Sequence, residues 1–195
     1  MRISNSHSGA SPNRFDPPLA VYAVFMTDQK RAPDMDRVIK NLPRGAVVIL
    51  RDYDAENRQA LAKRWRQKTR RKGLKLLIAG DARLARRVRA DGIHLPGWQL
   101  HRRAVRNPMV PILSAACHSR RDLAIANART IGMKLVSPVF PTRSHPGAMT
   151  LGPHRLARLV DGIEGCIALG GVKAATVRRL PFKRLSGFAA IDGWL

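Results

Sequence analysis

The stretch Cys166-Ile167-Ala168-Leu169-Gly170-Gly171 joins four apolar residues to a pair of glycines, and a helical pattern from 174 to 180 follows it. A short buried strand, a tight turn and a helix form the repeating unit of parallel α/β folds. Comparable apolar runs recur along the chain. They predict eight strands, at 21–26, 47–50, 74–79, 93–95, 111–116, 133–136, 166–169 and 188–191.

Helical patterns lie between most of these runs. The clearest spans 55–72, where Leu61 and Trp65 lie one turn apart and Gly73 provides a C-terminal stop. Eight strands with helices between them favour an α/β fold, a compact (β/α)8 TIM barrel, over a doubly wound sheet. The other predicted helices are 34–42, 83–89, 121–130 (ended by Gly132), 156–160 and 174–180.

The chain has 195 residues, enough for one domain with a proper core but not for two large ones. Residues 1–18 are polar and rich in Ser, Asn and Pro, so we expect a flexible leader before a single TIM-barrel domain at 19–195. The eighth strand ends close to Leu195, so the barrel is expected to lack its last helix. The leader or a partner chain is then expected to cover that side, and a homodimer is left open.

The composition excludes several classes of protein. No apolar run approaches the roughly 18 residues that a membrane helix needs, and the N-terminal segment lacks the apolar core of a secretory signal. Cys117 and Cys166 are the two cysteines, and their spacing is not that of a zinc site. A disulfide scaffold is not expected either, so a reducing cytoplasm is the expected location.

The positive charge is unusual. Lys and Arg total 36 against 13 acids, a formal net charge of +23. The densest run, 63–72, is expected to ring most of a helix. Three interpretations are open: a solvated helix, which we favour, contact with nucleic acid, or steering of a phosphorylated substrate. Nucleic acid is not an expected partner, so a duplex should bind only weakly and with steep salt dependence.

Candidate chemistry gathers at the predicted strand ends, where TIM barrels build their active sites. Gly170-Gly171 could turn backbone N–H groups toward a phosphate, although a tight turn is the competing interpretation. The loop at 138–147 is rich in donors and stiffened by three prolines, which suits the binding of an anion. Its donors are Thr142, Arg143, Ser144 and His145, and the other strand-end candidates are Arg51, Asp81, His94, His118 and Asp192.

Two of these candidates are histidines. His118 directly follows the fifth strand, and an imidazole with a pKa near its ordinary value of about 6.5 can take or give a proton at neutral pH. His94 lies within a short strand, where a structural role is favoured.

Six segments together resemble the thiamine phosphate synthase/TenI superfamily in order and spacing, over most of the chain from about residue 20. The stretch from Pro138 to Gly147 carries the most specific part of the resemblance. The segments are Val48-Ile49-Leu50-Arg51, Ala90-Asp91-Gly92-Ile93-His94-Leu95, Cys117-His118-Ser119, Ser137-Pro138-Val139-Phe140-Pro141-Thr142, Pro146-Gly147 and Ala168-Leu169-Gly170-Gly171-Val172.

The resemblance implies one of two activities. Thiamine phosphate synthases are transferases that join hydroxymethylpyrimidine pyrophosphate to thiazole phosphate. For that reaction, Gly170, Gly171 and the end of strand eight at Asp192 would hold the thiazole phosphate. Arg51 and the loop from Thr142 to His145 would hold pyrophosphate. TenI-like thiazole tautomerases share the barrel, need no metal and use a histidine after strand five, a position that His118 matches.

Departures from the family pattern favour the second activity. Where the family has a Gln and a Lys, this chain has Ile49 and Tyr53, and where the family has an Asn-Asp pair, this chain has Ala79-Gly80. The family's second carboxylate falls near Gln99, and a family Lys falls on His145. Mg²⁺ needs hard oxygen ligands. Asp81, one residue out of register, is the remaining candidate metal ligand, and Mg²⁺ is expected only if the protein is a synthase.

We therefore expect a thiamine-biosynthesis barrel that binds phosphorylated thiazole or pyrimidine molecules, with His118 as the base of a TenI-like tautomerase. A competent synthase is the alternative, and a non-catalytic ligand-binding or regulatory protein is the third interpretation.

Overall fold

Eight parallel strands close into a barrel in chain order. The computed structural model describes residues 22–102, 111–143 and 147–194. β1 pairs with β8 in the register Val24 with Ala189, which completes the closure and confirms the predicted TIM barrel. The strands are β1 (Tyr22–Met26), β2 (Val47–Leu50), β3 (Lys75–Ala79), β4 (Gly92–Leu95), β5 (Ile112–Cys117), β6 (Met133–Val136), β7 (Cys166–Leu169) and β8 (Gly187–Ala190).

Helices in the described ranges follow the strands in alternation. They are α1 (Met35–Asn41), α2 (Arg58–Lys72), α3 (Ala82–Arg87), α4 (Gly97–Leu100), α5 (Arg120–Ala128), α6 (Gly152–Leu159) and α7 (Ala174–Val177), with 3₁₀ turns at Phe182–Arg184 and Asp192–Trp194. None of the described helices is both long and apolar enough to cross a membrane. The predicted leader lies outside the described residues.

Several helical predictions need correction, including the helix predicted at 156–160, which begins at Gly152 and ends at Leu159. The predicted helix at 174–180 ends at Val177, and the sequence did not indicate the four-residue α4. Gly132 does not end α5: Thr130 adopts a left-handed φ of 52°, and the N–H of Ile131 donates to the carbonyl of Ala126. This backbone pattern ends helices without requiring glycine at that position.

The core is apolar on both faces of the barrel wall, as expected for parallel strands covered by helices. Every residue of β2, β4, β6 and β8 is buried. Trp194 lies on the outside of β8, where its ring stacks on Phe188 at 5.7 Å between centroids. Its indole N–H donates to the Val24 carbonyl at 3.2 Å. This tryptophan therefore covers part of the seam between β1 and β8, where we expected the leader or a partner chain.

Candidate functional site

The carboxyl ends of the strands surround a cavity of about 410 Å³. Because the strands are parallel and closed in chain order, the residues that follow them meet at one mouth. Most of the predicted site residues line this cavity: Arg51, His94, His118, Thr142, Arg143, Gly170, Gly171 and Asp192. Ser144 and His145 lie outside the described residues.

The charged side chains of the cavity wall are mainly cationic. Arg31, Arg51, Arg143 and Lys173 line it, and among the described residues Asp192 is the one lining carboxylate. Sequence reasoning missed Arg31 and Lys173. Both come a few residues after a strand end, which was the available signal, but neither belongs to a motif. This excess of positive charge suits a small anionic ligand.

The carboxylate of Asp192 is already paired. Arg31 donates to it through both Nε, at 3.1 Å, and a terminal nitrogen. The pair joins the loop after β1 to the end of β8 and is only partly exposed. A carboxylate cannot donate to phosphate, so the Asp192 side chain would oppose a bound anion both by its own charge and by pairing with Arg31.

His118 has one ring nitrogen fixed and one turned toward the cavity. Nδ1 lies 3.1 Å from the carbonyl oxygen of Ser137 and 3.2 Å from its hydroxyl. In the neutral tautomer that donates from Nδ1 to this carbonyl, Nε2 keeps a free lone pair. Nε2 lies near Gly97, another residue that lines the cavity. A neutral imidazole with this tautomer can accept a proton at Nε2.

The backbone around His118 is held by Asp122. One carboxylate oxygen of Asp122 accepts the backbone N–H of His118 at 2.8 Å, and the other contacts His101 Nε2 at 2.8 Å. Burial would raise the pKa of Asp122, but these hydrogen bonds and one from Ser119 favour the anion, and the net pKa is lowered. Asp122 is therefore ionised at neutral pH and fixes the start of the loop that carries the imidazole.

His94 lies within β4 and is buried. Its Nδ1 is 2.9 Å from the hydroxyl of Ser114. Burial first, then the nearby Arg51 and His118, lower the pKa of His94 to about 3. The ring is therefore neutral at physiological pH and offers polarity without charge at the cavity wall.

The glycine pair after β7 approaches the loop after β6 very closely. Gly170 and Gly171 have positive φ angles of 96° and 64°. A Cβ on Gly171 would lie 2.4 Å from the Pro141 carbonyl oxygen, and one on Gly170 would lie 2.9 Å from Pro138 Cα. None of the described backbone hydrogen bonds uses the N–H of Gly171 or Val172 as donor. The close approach of the two loops thus requires glycine at both positions. The turn also leaves the N–H groups of Gly171 and Val172 without a described backbone acceptor, beside the cavity.

The end of β3 is occupied by protein groups. Arg58 donates to the Ala79 carbonyl at 2.6 Å, and Gln99 donates to the Gly80 carbonyl at 2.8 Å. The Tyr53 ring lies close to Gly80, where an added Cβ would be 3.3 Å from it. No residue of β3 is among the described residues that line the cavity. This is the corner in which the family pattern would place carboxylates.

Asp81 acts as the N-cap of α3. Its carboxylate accepts the Leu84 N–H at 2.8 Å, and it does not line the cavity. Near the mouth, Asp28 lies 3.4 Å from Arg51, and Asp52 accepts from Thr27 and from the N–H of Gln29. Within the described ranges, no group of three or more His, Cys, Asp or Glu residues is placed to hold a metal. The groups described at the end of β3 offer Mg²⁺ no free carboxylate, and the metal role of Asp81 stays a prediction.

The protein is a TIM barrel with a cavity at its strand ends whose charged side chains are mainly basic. The chain belongs to the thiamine monophosphate synthase family, whose model matches residues 21–193. It is 31% identical over 175 residues to a thiamine-phosphate synthase of Thiobacillus denitrificans, covering 84% of this chain and 81% of the relative. It is 30% identical over 188 residues to the thiamine-phosphate synthase of Geobacillus thermodenitrificans, covering 89% and 83%.

A solved structure supports the same fold. The thiamine phosphate pyrophosphorylase from Pyrococcus furiosus superposes with a TM-score of 0.71 at 19% identity, covering 88% of this chain and 86% of that one. At that identity the likeness concerns the barrel alone, so the activity must be argued from the cavity.

Proposed function

We propose that the protein binds thiazole phosphate in the strand-end cavity and moves a proton on the thiazole ring, as a TenI-like tautomerase does. The observation that carries this proposal is the placement of His118, which lines the cavity while its Nδ1 lies 3.1 Å from the Ser137 carbonyl oxygen. A base for carbon acids near neutral pH needs this combination of a lone pair and a stable orientation.

The chemical step needs only this chain's own groups. Nε2 of His118 takes a proton from a ring carbon, and the electron pair of the broken C–H bond shifts into the thiazole ring. The resulting imidazolium keeps its Nδ1–H on the Ser137 carbonyl, which stabilises the added charge. Nε2 then returns the proton to another ring carbon. No electron donor or acceptor is needed, and the enzyme ends in its starting state.

The phosphate of the ligand would lie beside the glycine pair. The N–H groups of Gly171 and Val172 offer donors, and Arg31 and Lys173 line the same cavity. The short α7 adds little helix dipole, so direct hydrogen bonds and the cationic side chains are the main source of affinity. Arg51, Thr142 and Arg143 face the cavity from other strand ends and would restrict the rest of the ligand.

A thiamine phosphate synthase is the second candidate, because the relatives at about 30% identity carry that name. The reaction would require Mg²⁺, whose charge would neutralise the leaving pyrophosphate. The groups described at the end of β3 are an arginine, an amide and a phenol, with Asp81 turned to its own helix. The tautomerase is therefore the better-supported activity.

The deciding experiment follows proton exchange of thiazole phosphate in D₂O by NMR. We expect His118→Asn to lower the rate at least about a hundredfold, the lower range of general-base catalysis, while calorimetry shows nearly unchanged affinity for the ligand. His154, exposed on α6 away from the cavity, provides the control His154→Asn, which should keep the wild-type rate. Full activity of His118→Asn would exclude His118 as the base, and a wild-type rate no higher than the uncatalysed rate would reject the tautomerase and favour a non-catalytic binder.

A parallel assay addresses the synthase. The wild-type protein is given both family substrates with Mg²⁺, and pyrophosphate release is measured. Turnover of about 1 s⁻¹ or more, within the usual range of enzymes, would overturn the tautomerase proposal. Loss of that turnover in Asp81→Ala would then assign the metal to Asp81.

A further inference from the structure

A second concave surface lies outside the barrel, between α2 and α3. Its cavity measures about 480 Å³, and no carboxylate is among the described residues that line it. Five of the lining residues lie on α2 at intervals of three and one, which places them on one face of the helix. The lining residues are Lys63, Arg66, Gln67, Arg70, Arg71, Arg87, Val88 and Arg89, and we call this surface the α2–α3 groove.

This arrangement refines the expectation that the charges ring α2. The opposite face of the helix carries Leu61, Trp65 and Thr69, which are buried against the barrel. Lys68 turns away and pairs with Asp36 in α1. Cations in the last turn of a helix favour its negative end, which accounts for Arg70 and Arg71. The helix dipole does not explain why Arg87 and Arg89, at the end of α3 and just after it, line the same groove.

One arginine of the α2–α3 groove is held in position. Arg66 donates to the Asp91 carboxylate at 2.6 Å, while its Nε is buried without a hydrogen-bond partner. Asp91 also accepts the N–H of Leu76, so it is anchored to β3. The pair fixes the base of the groove and leaves the surrounding arginines and lysine to face solvent.

In place of the solvated helix without a nucleic-acid partner that the sequence favoured, we propose that the α2–α3 groove binds the phosphodiester backbone of double-stranded nucleic acid without sequence preference. From Lys63 to Arg71 the basic face extends about 12 Å along the helix, at about 1.5 Å per residue, which spans several phosphates of one strand. A helix that binds a membrane surface exposes an apolar face beside its basic one. The α2–α3 groove exposes none, because its apolar member Val88 is buried.

The α2–α3 groove lies away from the strand-end cavity. Gly73, directly after α2, accepts the N–H of Gly45 just before β2, so the C-terminal end of α2 lies at the amino ends of the strands. The two sites have no lining residue in common. Nucleic acid bound at the groove would therefore leave the cavity open, and the proposal does not depend on the proposed enzymatic function.

The test measures the affinity for a fluorescent 20-base-pair duplex between 50 and 200 mM salt, by anisotropy with the full chain. Each phosphate contact contributes about 0.9 to the slope of log affinity against log salt. Arg70→Gln/Arg71→Gln should therefore lower the slope by about 1.8. Arg155→Gln/Arg158→Gln removes the same charge from exposed positions on α6 and should leave the slope unchanged.

A second groove variant guards against a folding defect in the first. Lys63→Gln/Arg87→Gln removes one charge from each wall and should lower the slope by a similar amount, about 1.8. Saturating inorganic pyrophosphate, a probe for the cavity, should not displace the duplex. Any of four results would overturn the proposal. They are an equal loss of slope in the α6 control, displacement of the duplex by pyrophosphate, absence of duplex binding at 50 mM salt, and groove-dependent binding to anionic vesicles but not to the duplex.

Discussion

Gly171 and Gly152 share a φ angle of 64° but differ completely in their surroundings. An added Cβ would meet nothing within 4 Å at Gly152, whereas at Gly171 it would lie 2.4 Å from the Pro141 oxygen and 2.8 Å from Phe140 Cβ. Alanine in the left-handed region costs roughly 1–2 kcal/mol at either position. At Gly171 overpacking adds about 1–3 kcal/mol, because the carbonyl it meets belongs to the backbone.

We therefore expect Gly152→Ala to lower the free energy of unfolding by about 1–2 kcal/mol and Gly171→Ala by about 2–5 kcal/mol. Urea unfolding with a two-state fit measures both values. Calorimetry with thiazole phosphate should show weaker binding for Gly171→Ala alone, because relief of the clash moves the N–H groups beside the cavity. Equal stability losses and equal affinities for the two variants would refute the close approach of the loops after β6 and β7.

Three further perturbations test the charges of the site. The pKa of His94 is about 3 in the folded protein and near 6.5 in the unfolded chain, so the unfolded state binds more protons between pH 3 and 6.5 and stability falls as the pH falls. Urea unfolding from pH 6.5 to 4 measures this pH dependence of the free energy of unfolding. In His94→Asn the dependence should be smaller by about 1.4 kcal/mol per pH unit. Asp192→Asn removes the carboxylate that pairs with Arg31, so phosphate binding measured by calorimetry should tighten about twofold to fivefold, the equivalent of an ion pair worth up to about 1 kcal/mol. Weaker binding would contradict this prediction. Burial raises the pKa of Cys117 to about 12 and that of Cys166 to about 11, so a thiol reagent at pH 8 should label neither until the protein is unfolded.

The strands were predictable because parallel strands buried on both faces appear as continuous apolar runs. The predicted and observed bounds agree for β2, β6 and β7 and differ elsewhere by one residue at one or both ends. The short helices were less predictable. In α4, the Pro96-Gly97 start carries no side-chain cap, and four residues are too few to show a helical period.

The site was predictable where position after a strand determines it. Arg51, His118, Gly170 and Gly171 line the cavity because each follows a strand within two residues. Asp81 follows β3 in the same way, yet its carboxylate caps α3. An aspartate between a strand and a helix suits both a ligand role and an N-cap role. The sequence could not separate them, because the orientation of the side chain decides the outcome.

The departures from the family pattern are connected in space. Gly80 and Gln99, the positions that would carry carboxylates, contact each other through an amide-to-carbonyl hydrogen bond of 2.8 Å. Arg58 donates to the neighbouring Ala79 carbonyl, and the Tyr53 ring stacks over the same guanidinium at 5.3 Å. An arginine at the end of β3 would be repelled by a divalent cation there. Any carboxylate at this corner would pair with the arginine instead of binding a metal ion. Of these groups, only Tyr53 is among the described residues that line the cavity with Gly170 and Gly171. The corner at the end of β3 is therefore organised around a cation of its own, the guanidinium of Arg58, and the proposed proton transfer by His118 does not depend on it.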